Sequence, residues 1–116
     1  MKNETKGSLL RIFIGELDKY SGKPLYEAIV HKAYKLGLAG CTVTRGIEGF
    51  GANSRTIHTA KILRLSEDLP ILIEIVDTDE KIKSAIRDFE SMIDESNAGV
   101  LMTMEKVEII RYRKNK

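Results

Sequence analysis

The side chains best able to do chemistry here are few and scattered. They comprise one cysteine, Cys41, two histidines, His31 and His58, and four arginines near a glycine-rich stretch or the end of the chain, Arg45, Arg55, Arg111 and Arg113. Serine, histidine and aspartate all occur, but no Gly-x-Ser-x-Gly elbow accompanies them. No nucleophile or general base can be named, so the sequence reads as that of a binding protein and not of an enzyme. A metal site built from His31, His58 and Cys41 has no ligand spacing behind it. Cys41 follows Gly40 at the start of an expected strand, where a small buried hydrophobe is the better reading.

Gly46-Ile47-Glu48-Gly49-Phe50-Gly51 has G-x-x-G-x-G spacing, which is neither the P-loop nor the dinucleotide-binding pattern. Successive backbone N–H groups in such a stretch can form an anion nest. The plain alternative is a hairpin loop. Arg45 and Arg55 bracket it. Arg111 and Arg113 stand two apart on an expected strand and would share a face. Arginines beside a glycine turn can clamp a phosphate through paired hydrogen bonds. They can equally form a solvated basic edge that discourages strand pairing, and spacing alone favours the edge.

The elements that would position these residues follow from apolar periodicity. Residues 1–7 read as a polar, frayed terminus and 8–113 as one domain. Leu9 to Ile14 reads as a strand. Pro24 opens a helix through Leu36, stopped by Gly37 and Gly40. Cys41 to Ile47 is a second strand, Gly46 to His58 a long loop with strand-like edges, and Thr59 to Leu65 a further extended segment. Ser66-Glu67-Asp68 is a turn. Pro70 to Val76 is the clearest strand. Asp77 or Thr78 caps a second helix whose Ile82, Ala85, Ile86, Phe89 and Ile93 recur at helical spacing. Asn97-Ala98-Gly99 ends it, and Val100 to Tyr112 is a long final strand or strand pair. The order is βαββαβ. That predicts an α+β ferredoxin-like sandwich, with four antiparallel strands carrying both helices on one face. Leu9, Phe13, Leu72 and Val76 would lie on the other face, an apolar patch that marks an interface.

Composition narrows the function classes. The chain has 116 residues, 42% apolar and 31% charged, with a net charge of +2. A domain this small buries about 60–70% of its unfolded surface, so association is a natural way to bury more. Balanced charge argues against strong nucleic-acid binding. An RNA-recognition reading also fails, because Pro70 to Val76 carries no aromatic residue for base stacking. A lone cysteine argues against a disulfide-stapled secreted domain. With no apolar leader and no run of about 18 apolar residues, a cytoplasmic protein without membrane insertion is expected.

Three segments resemble a known family. Gly40 to Arg45 followed by Gly49-Phe50-Gly51 resembles the second strand and T-loop base of PII signalling proteins. Leu69 to Val76 resembles their third strand, and Gly99 to Arg113 their last, ending in Arg-x-Arg. Gly15 to Glu27 and Arg45 to Gly51 resemble more closely an uncharacterised PII-like family, a domain of unknown function, over residues 8–112. The resemblance implies a homotrimer that binds adenine nucleotides between subunits and signals through a mobile loop. By position, Thr42, Gly49, Phe50 and Gly51 would line the cleft, Arg111 and Arg113 would face phosphates, and residues 50–58 would read a partner. Some family members are encoded near ion or fluoride exporters, which implies a membrane-transporter partner. Val100 stands where PII has a phosphate-binding lysine, the B-loop is reduced to Ser96 to Gly99, and the T-loop is short. ATP, a smaller ligand such as AMP or a cyclic nucleotide, or none remain open. The expected function is a PII-like trimeric sensor of a small anionic ligand. The alternative is a CutA-like trimer binding a divalent metal.

Overall fold

The computed structural model describes residues 6–52, 54–59 and 68–115. The chain runs through β1 (Lys6–Gly15), a small ribbon of β2 (Lys19–Tyr20) and β3 (Lys23–Pro24), helix α1 (Leu25–Lys35) and β4 (Thr42–Arg45). A second ribbon, β5 (Glu48–Gly51) with β6 (Ser54–Thr59), occupies what the sequence presents as a loop. Then come β7 (Pro70–Asp77), helix α2 (Asp79–Ser96) and β8 (Leu101–Glu108). The centre of the molecule is a four-stranded antiparallel sheet in the order β4-β7-β1-β8. With α1 and α2 it completes the expected βαββαβ plan.

Alternation sets the layers. Along β7, burial alternates residue by residue, as a strand with one covered face requires. Leu10, Ile12 and Ile14 of β1 and Ile71, Ile73 and Ile75 of β7 form the covered side. They meet Leu25, Ile29 and Ala33 of α1 and Ile82, Ala85, Phe89 and Ile93 of α2. Register places Ile12 opposite Ile73 on one side and Met102 on the other. Phe89 and Ile82 are fully buried, so the helical periodicity seen in the sequence is the core face of α2.

Thr78, not Asp77, caps α2: its Oγ1 accepts the Lys81 N–H at 3.3 Å. Asp77 is buried and accepts two backbone N–H groups instead, Thr78 at 2.7 Å and Ala39 at 2.8 Å. It thereby ties the α1–β4 connection to the end of β7. Asn97 closes α2 in the left-handed conformation at φ 58°.

The opposite sheet face carries Leu9, Phe13, Leu72 and Val76 as expected, each partly exposed. A charged row interrupts it. Arg11 in β1 bonds Glu74 of β7 at 3.1 Å and Glu105 of β8. These two carboxylates hold the guanidinium protonated still more firmly than usual.

Two boundaries differ from the sequence reading. β1 begins at Lys6, inside the polar terminus. β8 ends at Glu108, which stands opposite Lys6 in the register with β1. Arg111 and Arg113 therefore lie beyond the strand, and the alternation expected to put them on one face does not apply. The extended segment at Thr59 to Leu65 lies, after Thr59, outside the described residues, as do Ser66 and Glu67 of the expected turn.

Candidate functional site

The chain leaves the sheet after β4 and returns at β7, and its two ends are pinned together. The Gly46 N–H donates to the Pro70 carbonyl at 2.7 Å, and the Glu16 N–H to the Leu69 carbonyl at 2.9 Å. Gly46 lies so close to Pro70 that a Cβ would fall 2.8 Å from the proline Cγ. That close approach, more than any anion, accounts for glycine at 46.

A cavity of about 170 Å³ opens at this base. Phe13, Phe50, Pro70 and Leu101 give it apolar walls, the backbone of Gly49 and Gly51 forms one side, and Asp18 and Asp68 supply its charge. The β5–β6 ladder is irregular between Gly49 and Gly51, which re-aims the residue between them, Phe50. Each carboxylate is fixed by a backbone donor. The Gly15 N–H meets Asp18 Oδ2 at 2.8 Å, and the Leu17 N–H meets Asp68 Oδ1 at 2.8 Å. Burial, helped by the charge of Asp68, raises the Asp18 pKa against the lowering effect of its Gly15 bond. A Cβ on Gly15 would stand 2.6 Å from Asp68 Oδ1, so glycine there admits the carboxylate.

A second, larger groove of about 530 Å³ lies at the other end of the same sheet face. Leu9, Val76 and Ile109 line it with Cys41, Thr42, Glu74 and Arg111. The C-terminal segment turns back over it, with Tyr112 Oη donating to the Ala39 carbonyl at 3.5 Å.

The expected site residues thus fall into two groups. Gly49, Phe50 and Gly51 meet at the first cavity; Thr42 and Arg111 meet at the second. Arg45 is at neither, and its guanidinium pairs with Glu16 at 2.9 Å. Arg113 is exposed in the segment after β8. The side chains of Arg55 and His58 lie outside the described residues. His31 is exposed on α1, and Cys41 is half-buried, with burial raising its thiol pKa. Among the described residues, no three His, Cys, Asp or Glu side chains cluster as metal ligands would. Asp18, Asp68 and Phe13 are absent from the sequence-derived site. An acid three residues past the glycine ending β1 was a faint signal for Asp18. Asp68 arrives from 51 positions beyond its donor Leu17, and only the fold brings it there.

Residues 7–109 match the model of DUF190, described as "Uncharacterized ACR". The chain belongs to the DUF190 family. A UPF0166 protein of Aquifex aeolicus is 40% identical over 105 residues, covering 90% of this chain and 94% of that protein. One from Methanocaldococcus jannaschii is 34% identical, covering 84% and 88%. The fold is PII-like. CPII from Thiomonas intermedia, a nitrogen regulatory PII-like protein solved with ADP, AMP and bicarbonate, aligns with a TM-score of 0.67 at 16% identity. The alignment covers 91% of this chain and 90% of that one. A PII-like signalling protein from Thermus thermophilus aligns with a TM-score of 0.65 at 18% identity, covering 91% of each chain. Among the described residues, no helix is long and apolar enough to cross a membrane.

Proposed function

We propose that this chain is a PII-like sensor, without turnover, that assembles as a homotrimer and holds an adenine nucleotide in the cleft between copies. One observation carries the reading: the two ends of the excursion between β4 and β7 line one cavity with apolar walls and two carboxylates. Gly49, Phe50 and Gly51 come from the outgoing end, Asp68 and Pro70 from the returning end. A molecule seated there touches both, so its binding energy differs between positions of the β5–β6 ribbon. That difference is what a ligand needs to shift a conformational equilibrium.

The cavity and the Arg111 groove open at opposite ends of one sheet face. Packing those faces around a threefold axis would bring the cavity of one copy toward the groove of the next. Arg111 and Thr42, with Arg113 and Arg45 nearby, would then meet the phosphate while the base rests on Phe13, Phe50 and Leu101. CPII is solved with ADP and AMP, which supports trying these ligands first. The ribbon, with Ile57 exposed on it and Ile47 exposed just before it, would present the signal to a cytoplasmic face of a membrane transporter or ion exporter.

Calorimetric titration with ATP, ADP, AMP and cyclic AMP, with and without Mg²⁺, tests this reading. One ligand should bind with a micromolar constant, about −8 kcal/mol, at one site per subunit, and light scattering should give a trimer. Silence across the panel would overturn the nucleotide reading. A monomer that still binds would overturn the shared cleft.

A further inference from the structure

We propose that the cavity at the end of β1 recognises a ribose, with Asp18 and Asp68 accepting hydrogen bonds from its two hydroxyls. This rests on the nucleotide reading above and adds which part of the ligand the cavity holds.

The cavity is built for a molecule with a flat apolar body and hydrogen-bond donors. Phe13, Phe50 and Leu101 are all substantially exposed in spite of their size, and all three face it. Its charge is negative, which repels a phosphate and welcomes a hydroxyl. Each carboxylate has one oxygen committed to a backbone N–H, Asp18 Oδ2 to Gly15 and Asp68 Oδ1 to Leu17. Among the described residues, no donor meets either second oxygen. Among the described residues each carboxylate is therefore held in place with one acceptor to spare, and the two are close enough for the charge of Asp68 to raise the Asp18 pKa. A vicinal diol offers two donors on adjacent carbons. A carboxylate accepting from ribose hydroxyls is a recurrent means of dinucleotide recognition. In this orientation the base lies on the apolar wall and the phosphate leaves the acidic cavity for the cleft mouth.

The test compares AMP with 2′-deoxy-AMP and 3′-deoxy-AMP on the intact protein. A hydrogen bond to a charged group is worth about 1.5–3 kcal/mol, so each deoxy analogue should bind roughly tenfold or more weakly. In Asp18→Asn and Asp68→Asn the loss should shrink, because neutral acceptors bond about half as strongly. Equal affinity for AMP and both deoxy analogues in the unaltered protein would overturn the ribose assignment while leaving the nucleotide reading intact. That arm needs no variant and is immune to misfolding. No binding of any of the three, with ATP and ADP also silent, would overturn both.

Discussion

Asp18 shows how one residue serves fold and site at once. Its carboxylate caps the end of β1 through the Gly15 N–H, and its carbonyl accepts the Leu25 N–H at 2.8 Å, starting α1. Burial and Asp68 raise its pKa, so the folded protein takes up this proton at a higher pH than the unfolded chain does. The stabilisation linked to it is fully present below the ordinary carboxylate pKa of about 4. It is lost as pH rises through the raised folded value. Asp18→Asn keeps an acceptor for Gly15 and removes the charge. Its stability relative to the unaltered protein should therefore improve between pH 4 and neutrality, as urea midpoints across that range would show; a constant difference would mean that Asp18 titrates normally.

Ser8 and Asp79 run the opposite way. Ser8 is fully buried and donates to Asp79 Oδ1 at 2.7 Å, across from β1 to the first turn of α2. That bond first, and then Lys83, lowers the Asp79 pKa. The linked stabilisation is present above the unfolded carboxylate pKa and disappears as pH falls through the lowered value. Ser8→Ala should cost about 1 kcal/mol near neutrality and less in strong acid. A thermal-melt difference independent of pH would show that only packing was lost.

At the scale of elements, the α2 cap and the excursion base make separate predictions. Thr78→Ala removes the Oγ1 acceptor for Lys81 and should cost about 1 kcal/mol, readable by urea denaturation. Gly46→Ala places a methyl carbon 2.8 Å from the Pro70 Cγ. Backbone must move on one side, so hydrogen exchange at Gly46, Glu16 and Leu17 should quicken while amides in α2 keep their protection. Unchanged exchange at all three would show that the base is not pinned as described. The same elements explain what the sequence could and could not reveal. β7 was legible as a short apolar, β-branched run, and α2 because its apolar residues recur at the helical period of 3.6, as Ile82 and Phe89 show; which face of β7 is covered came only from the fold. The end of β8 was not legible, because Ile109 to Tyr112 looks as strand-like as what precedes it, although β8 ends at Glu108. Arg111 was expected on a strand and is found on a returning segment. Asp68 and Phe13 have no local signature that marks them as cavity residues.

For the whole molecule, the question is what the exposed sheet face does. Apolar rows of Leu9 with Val76, and of Phe13 with Leu72 and Leu101, flank the Arg11 row. All three charged side chains are at least a third exposed, Arg11 35%, Glu74 36% and Glu105 56%. Exposed pairs of this kind add little to the stability of one copy. Their weight changes if three copies cover the face, because charges removed from water must be matched or they oppose association. Arg11→Ala would leave Glu74 and Glu105 as two unmatched carboxylates on otherwise apolar ground. Sedimentation velocity should then show dissociation toward monomers, while the melting temperature measured at low protein concentration moves little. Replacing both acids as well, in Arg11→Ala with Glu74→Gln and Glu105→Gln, removes the unmatched charge and should restore much of the association. Arg11→Ala sedimenting as the unaltered protein does would place the Arg11 row outside any interface and leave the apolar rows without a role in assembly.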